Sequence, residues 1–308
     1  MRFTNRSRLP AHLVTILQKA WEKANENYVS SRQTGSKVIS VTELISPPQK
    51  RRLEREHSSA LEMDVLDTVP ALRGVSLHHI LELAGKDAPE HIPEERLQTT
   101  IDTWTITGKS DLYTTGDGRL IDFKDSSVWA YVFGKKEWDA QLNVLRWIRV
   151  RNGGFVTSLE IDLFVGDWRR GEARRDEKYP PRVVVMPVEM WTMEATERYV
   201  LERLALHGAD TPPPCSSEER WQKETKYAVK KRDAKRATKV CDEEIQAAQL
   251  AATIPGAYVE KRPGESTRCL DYCLAAPYCK QWSADITNPK NIVERAEASM
   301  DENGRITL

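Results

Sequence analysis

The periodicity of apolar and polar positions divides this chain into helical ends around a strand-rich middle. After Pro10, "AHLVTILQKAWEKANENY" repeats apolar residues at helical spacing, with proline near the first turn. "QTGSK" breaks the pattern, and "VTELISPPQKRRLEREH" resumes it around a Pro-Pro interruption. A helix is predicted from about Val69 to Ala84, closed by Gly85. From about residue 96 to 125 the period changes to that of strands, rich in Thr, Ile, Trp and Tyr. Three strands are expected, at about 96–105, 106–114 and 119–125, the last two joined by a hairpin at "TGDGR". "KKEWDAQLNVLRWIRVRN" then reads as an amphipathic helix, and "FVTSLEIDLFVG" and "PRVVVMPVEM" as further strands. Helical character returns at Trp191 and breaks at the Pro-rich "ADTPPPCSS". It resumes in a charged helix expected from about Ser217 to Ala252. The expected fold class is α/β: helix, three-strand meander, helix, strand, with helical material at both ends.

One strand is unusual. In "RLIDFKDSS" side chains alternate faces, so Ile121 and Phe123 point one way and Leu120, Asp122 and Lys124 the other. The apolar pair is expected to rest on the helical layer, leaving Asp122 and Lys124 toward a cleft or solvent. With the turn near Gly116-Asp117-Gly118, opposed residues sum to about 234, which sets Asp111 of "GKSDLY" across from Phe123. Two carboxylates so close ionise together only with a cation between them, and hard oxygen donors suit Mg²⁺ or Mn²⁺. A lysine beside such an ion can hold an attacking water or stabilise charge developing on a phosphate. The plainer reading is a surface Asp–Lys pair on an edge strand.

Composition constrains rather than decides. The 308 residues allow one large domain, or a core with an appended region. Lys+Arg and Asp+Glu are equal at 46 each, so any basic surface must be local. The chain starts without a signal-peptide-like stretch and contains no run near the ~20 apolar residues of a membrane span, so a cytoplasmic protein is expected. Five cysteines in a reducing compartment point to metal binding or burial rather than disulfides. Cys269, Cys273 and Cys279 are bunched in "RCLDYCLAAPYC". Such thiolates hold Zn²⁺ or an iron–sulfur cluster, both of which usually take four ligands. Cys215, on a loop, is preferred as the fourth over Cys241, read as mid-helix; a small buried thiol cluster is the alternative. "WRRGEARRDEKYPPR", read as an arginine-rich hairpin, offers Arg169 and Arg170 to phosphates. "KYAVKKRDAKRATK" offers Lys230, Lys231 and Arg232 on the expected charged helix. Each run also reads as an ordinary solvated face.

Five short motifs then fall in one order. "GVSLHHILE" is similar to G-x-x-x-H-x-x-L-E, "EERL" to an acidic strand start, "GKSD" and "IDFK" to a split D…DxK, and "AQLNV" to the start of Q-x-x-x-Y. Together, over roughly residues 39 to 165, they resemble the PD-(D/E)xK nuclease superfamily in its RecB-like exonuclease branch. Leu145 departs from the pattern, standing where the family has tyrosine. The resemblance implies a restriction-endonuclease-like core with Asp111, Asp122, Lys124, Gln141 and Glu95 as its catalytic set. His78, Asp111, Asp122 and the Phe123 main-chain carbonyl would bind Mg²⁺ or Mn²⁺, and Lys124 would activate water. It also implies a [4Fe-4S] cluster, ahead of Zn²⁺, for Cys215, Cys269, Cys273 and Cys279. The usual site of that cluster's first cysteine, in "SPPQKRRLE", holds none.

The expected function is a metal-dependent DNA exonuclease of recombination or repair, acting on single strands or duplex ends. A phage annealing or recombination protein is its expected partner, and no membrane is involved. The alternatives are a catalytically inactive DNA-binding module of the same fold and an unrelated metal-binding structural protein. The expected division is an N-terminal helical segment (1–68), the nuclease core (69–190) and a helical C-terminal region with the cysteine knuckle (191–308).

Overall fold

The computed structural model describes residues 1–30, 37–232 and 234–291. It forms two compact units, one of Met1–Pro48 with Glu62–Pro212, the other of Gln49–Leu61 with Pro213–Leu308. These boundaries differ from the sequence-based 68/69 and 190/191. The helix after position 190 buries Val200 and Leu204 in the first unit's core. The helix beginning near Pro48 belongs to the second unit, where the Gln49 side chain is held.

In chain order the first unit contains β1 (Arg2–Thr4), α1 (Ala11–Ser30), β2 (Val38–Ser40) and α2 (Val41–Ile45). After α3 (Pro48–Glu56), which lies mostly in the second unit, come β3 (Glu62–Asp64), α4 (Val69–Gly85), β4 (His91–Ile101), β5 (Trp104–Thr114) and β6 (Arg119–Ser126). Then follow α5 (Val128–Phe133), α6 (Lys136–Arg151), β7 (Ser158–Val165), α7 (Arg170–Arg175), β8 (Val183–Val188) and α8 (Met193–Gly208). The six-stranded sheet runs β2-β5-β6-β7-β8, with β4 paired to the other side of β5. β4, β5 and β6 form an antiparallel meander, and α6 carries the chain over to β7, parallel to β6. The core is therefore mixed α/β, with helix α4, meander, helix α6 and strand β7 in the expected order.

The sheet and α6 make the main core. β7 alternates strictly, burying Leu159, Ile161, Leu163 and Val165. They meet Leu142, Val144, Leu145, Trp147 and Ile148 of α6, with Val41 and Leu44 of α2 alongside. Each such side chain contributes about 1.5–3 kcal/mol by leaving water. Leu145, the departure from Q-x-x-x-Y, is a packing residue, seated so closely on Gly108 of β5 that a Cβ there would collide with its Cδ2.

The sheet places the charged strand differently from expectation. Leu120 is fully buried in the core that includes α6, so the Leu120–Asp122–Lys124 face lies under that helix, not toward solvent. Phe123 instead meets the edge of His78 on α4, with ring centroids 6.2 Å apart. The β5–β6 ladder pairs Leu112 with Ile121 and Tyr113 with Leu120. Its sum of 233, one less than expected, would carry Asp111 level with Asp122.

The second unit corrects another expectation. The stretch read as a helix from Ser217 holds β9 (Lys226–Lys231) and β10 (Lys239–Cys241), and only Glu244–Ala252 (α9) is helical. β9 is the centre of a three-stranded sheet with β10 and β11 (Ala257–Arg262). Its core is Val229, Cys241 and Ala247, while Lys226 and Lys230 reach Asp242 and Glu260 at the surface. Dense charge disguised a strand whose apolar signal is two or three residues long. The cysteine tail forms short helical turns ending in α10 (Lys280–Ser283). Among the described residues no helix is long and apolar enough to cross a membrane.

Asp64, at the end of β3, ties the N-terminus to the first unit. Its buried carboxylate accepts from Ser7 Oγ at 2.7 Å, from the amides of Arg6 and Ser7, and from Leu66 N–H at 3.1 Å. Burial alone would raise its pKa, but these donors hold it down to about 2. The folded pKa is below the unfolded value of 3.8, so the stabilisation is complete above about pH 4 and is lost as pH falls toward 2. Asp64→Ala is expected to cost about 1–3 kcal/mol at pH 7. In urea melts that difference should shrink steadily between pH 4 and 2.

Candidate metal centre

The site forms where β5 and β6 separate. Beyond the Leu112–Ile121 pair, the Asp111 carboxylate takes over from the ladder, Oδ2 accepting from Phe123 N–H at 2.8 Å. Its other oxygen lies 3.4 Å from His78 Nδ1 on α4. The third member is Glu94 of β4, with Oε1 3.8 Å from the same His78 nitrogen. The ligand atoms of His78, Glu94 and Asp111 all lie within 4.8 Å of one another. One imidazole nitrogen and two carboxylates fit a divalent cation.

Two local features place Glu94 there. The β4–β5 hairpin turns at Asp102-Thr103, where Asp102 has φ +49°, and its pairs sum to 205. Glu94 is therefore level with Asp111, and its own φ of +54° is left-handed. Such a backbone costs on the order of 1 kcal/mol in a glutamate and persists only where its surroundings impose it. The expected acid, Glu95, turns away and pairs with Arg149 of α6. Periodicity alone passes over Glu94, because a first strand taken to run to 105 hides the Asp102 turn. Counting from that turn sets Glu94 opposite Asp111.

Asp122 sits beside this trio in a closed arrangement of its own. It is 2% exposed. Its Oδ1 accepts from Gln141 Nε2 at 2.9 Å, and Lys124 Nζ lies 2.6 Å from Oδ2. Gln141 Oε1 in turn accepts from Lys124 Nζ at 3.3 Å. Although Lys124 is close, Oδ2 is buried without an aligned hydrogen bond, as a carboxylate oxygen left for a cation would be. Burial pushes the Asp122 pKa above the usual carboxylate range; Lys124 opposes this and Asp111 adds to it. Burial lowers the pKa of His78, but the hydrogen bond and charge of Asp111 outweigh it and the net direction is upward. The Asp122 shift is thus mainly one of burial, and that of His78 one of its acidic neighbour. Lys109 offsets part of the acids' charge by pairing with Glu94. His79 is exposed on α4, and Glu82 pairs with Lys86.

The second unit gathers four thiols. Burial pushes Cys215 up to about 12, and among the further causes are the neighbouring Cys279, Cys269 and Cys273. Cys269 rises to about 11 by burial, with Cys273 and Cys279 contributing, and Cys273 rises chiefly by burial, with Cys279 a smaller contributor. The four thiols thus lie close enough to feel one another's charge. Gln49 and Gln281 accept from the Cys215 amide at 3.0 and 2.9 Å, and Gln49 Nε2 lies 3.6 Å from Cys279 Sγ. Gln49, in "SPPQKRRLE", thus touches two members of the thiol group. Cys241 is packed in the other core of this unit.

Of the expected phosphate-binding residues, Arg169 and Arg170 are exposed at the start of α7, where a short helix stands in place of the expected hairpin. Lys230, Lys231 and Arg232 lie on or just after β9, in the other unit.

No family model matches the chain, and no curated protein matches it. Similar solved structures include the protein SSO0001, at 18% identity over 63% of this chain and 87% of that one, with a TM-score of 0.46. A phage-related exonuclease from Haemophilus somnus 129PT is 13% identical over 64% and 80% of the two chains, with a TM-score of 0.27. A protein named as an exonuclease, from Eubacterium rectale, is 9% identical over 64% and 84%, with a TM-score of 0.29.

The geometry separates two adjacent glutamates. By titration calorimetry with Mn²⁺, His78→Ala, Glu94→Ala and Asp111→Ala are each expected to weaken binding at least ~10-fold. Glu95→Ala should leave the affinity within about twofold and lower thermal stability instead, by freeing Arg149.

Proposed function

We propose that this protein is a metal-dependent deoxyribonuclease, a DNA exonuclease of the RecB-like PD-(D/E)xK class acting in recombination or repair. The observation that carries this reading is the convergence of His78, Glu94 and Asp111 beside the closed Asp122–Lys124–Gln141 group. His78, Glu94, Asp111, Asp122 and the Phe123 carbonyl would hold Mg²⁺ or Mn²⁺. When bound, such an ion polarises a phosphate oxygen and makes water a better nucleophile. Asp122 and Gln141 fix the Lys124 ammonium from two sides, so its positive charge is preorganised rather than swept by a flexible side chain. That charge would orient the attacking water and stabilise the phosphate as negative charge builds. DNA is the substrate, and by the same resemblance a phage annealing or recombination protein in a bacterial host cytoplasm is the partner class.

The test uses end-labelled single- and double-stranded DNA with Mg²⁺ or Mn²⁺. Degradation should stop with chelator, and Asp111→Ala, Asp122→Ala and Lys124→Ala should each slow it at least ~100-fold. An Asp122→Ala protein that degrades DNA at the wild-type rate would refute the assignment. DNA binding without degradation would identify an inactive module.

For the thiols the same proposal assigns a [4Fe-4S] cluster to Cys215, Cys269, Cys273 and Cys279. Four sulfurs around Zn²⁺ would be ~3.8 Å apart, given Zn–S near ~2.3 Å. A [4Fe-4S] cluster takes the same number of thiolates, and it is preferred on the resemblance. Anaerobically purified protein should be brown and contain iron. Cys215→Ser should lose the colour while Cys241→Ser keeps it; a colourless protein with stoichiometric zinc would overturn the cluster.

A further inference from the structure

Helix α5 exposes more aromatic surface than a six-residue element needs for folding. Trp129 and Phe133 are 64% and 77% exposed, and their rings stack at 5.6 Å with planes 14° apart. Their i, i+4 spacing sets both on one face of the helix. Buried Ala130 and half-buried Val128 anchor the helix to the unit below. Val128 N–H donates to Asp167 Oδ1 at 2.8 Å, and Gly134, at φ +65°, ends the helix. The platform is thus held in place while its outer face stays open to solvent.

Its position relates it to the metal centre. α5 begins two residues after β6, so Trp129 is on the order of 10 Å along the chain path from Lys124. β6 and β7 are parallel, and their carboxyl ends share one rim where Ser126 pairs with Val165 and Gly166 N–H donates to Ser126 O at 2.8 Å. Ligands of open α/β sheets bind at such carboxyl ends. The stretch after β7 exposes Arg169, Arg170, Arg174 and Arg175, and Lys135 and Lys136 follow α5. Of the acids here, Asp167 caps α5 and Glu172 faces Arg175.

We propose that the Trp129–Phe133 face is a stacking platform for unpaired nucleobases of a single-stranded DNA end, with Arg169 and Arg170 gripping its phosphates. This rests on the nuclease reading and specifies its substrate: a strand end already unpaired as it reaches Lys124. Flat parallel rings beside cationic side chains match the two surfaces of a single strand, base faces and phosphates. In a duplex the base faces are already stacked and unavailable.

The test titrates labelled oligothymidylate and a blunt duplex of equal length into the full chain, by fluorescence anisotropy without added divalent cation. Trp129→Ala/Phe133→Ala should bind oligothymidylate about 5- to 100-fold more weakly and the duplex within about twofold of wild type. Trp129→Phe/Phe133→Tyr should restore most of the loss, and both variants should keep the wild-type melting temperature because these side chains are exposed. Unchanged oligothymidylate binding by the alanine variant overturns the platform. So does a variant whose only change is lost self-association in sedimentation, which would make the face a protein interface. If wild type degrades no DNA yet the variant loses oligothymidylate binding, the platform stands and the nuclease reading falls. If wild type binds neither DNA, both fall.

Discussion

Concentrated negative charge at the separation of β5 and β6 is the constraint to which this part of the first unit answers. Glu94, Asp111 and Asp122 lie on three neighbouring strands at one level, and two of them are buried. Unit charges ~4 Å apart interact by ~4 kcal/mol even at an effective dielectric of ~20. No fold keeps such a group without offsetting it. Here the offsets come from four directions: His78 from α4, Lys109 along β5, Lys124 along β6, and the Phe123 amide, which gives its hydrogen to Asp111 in place of a ladder bond. The upward shift of His78, raised by Asp111 against its burial, reports the pull of these acids on a nearby positive charge. A divalent cation is the group that would complete the offset.

The same constraint accounts for features that look like irregularities. β6 leaves β5 after the Tyr113–Leu120 and Leu112–Ile121 pairs, and β2 takes up pairing with β5 at Thr105–Thr107. Left-handed Glu94 stands at the level where the strands part. A regular meander would leave Asp111 no route to the Phe123 amide. Strain and a shortened ladder are local costs of on the order of a few kcal/mol, carried by the large core beneath α6.

Much of this is legible in the residues because it rests on periodicity. α4, the meander, α6 and β7 follow from spacing, and alternation along β6 by itself puts Asp122 and Lys124 on one face. What escapes depends on register and on which layer covers a face. One residue in the β4–β5 turn decides between Glu94 and Glu95, since neighbouring strand residues turn to opposite faces. The side on which Asp122 and Lys124 lie is hard to read because an acid and an amine look like solvent-facing residues. Gln141 bonds the Oδ1 of that acid and Lys124 pairs with its charge under α6, which offsets part of the cost of burying it. β9 is hidden for a different reason: its lysines are paired across a small sheet, and local charge density cannot report a partner that is distant in sequence.

The path of the chain adds a consequence for the thiols. It leaves the first unit at Pro48, contributes Gln49–Leu61 to the second, and returns at Glu62 before leaving again at Pro212. The inserted segment is fixed within the second unit by Gln49 on the Cys215 amide and near Cys279 Sγ, by His57 stacked on Tyr278, and by Tyr278 Oη donating to Ala60 O. A guest binding the four thiols would therefore order α3 as well as the tail. Because α3 is joined covalently to α2 at one end and β3 at the other, ordering it shortens the free loop between two elements of the first unit. Loop closure becomes cheaper as that loop shortens. Folding of the sheet unit and filling of the thiol site by such a guest would thus be linked through chain connectivity alone.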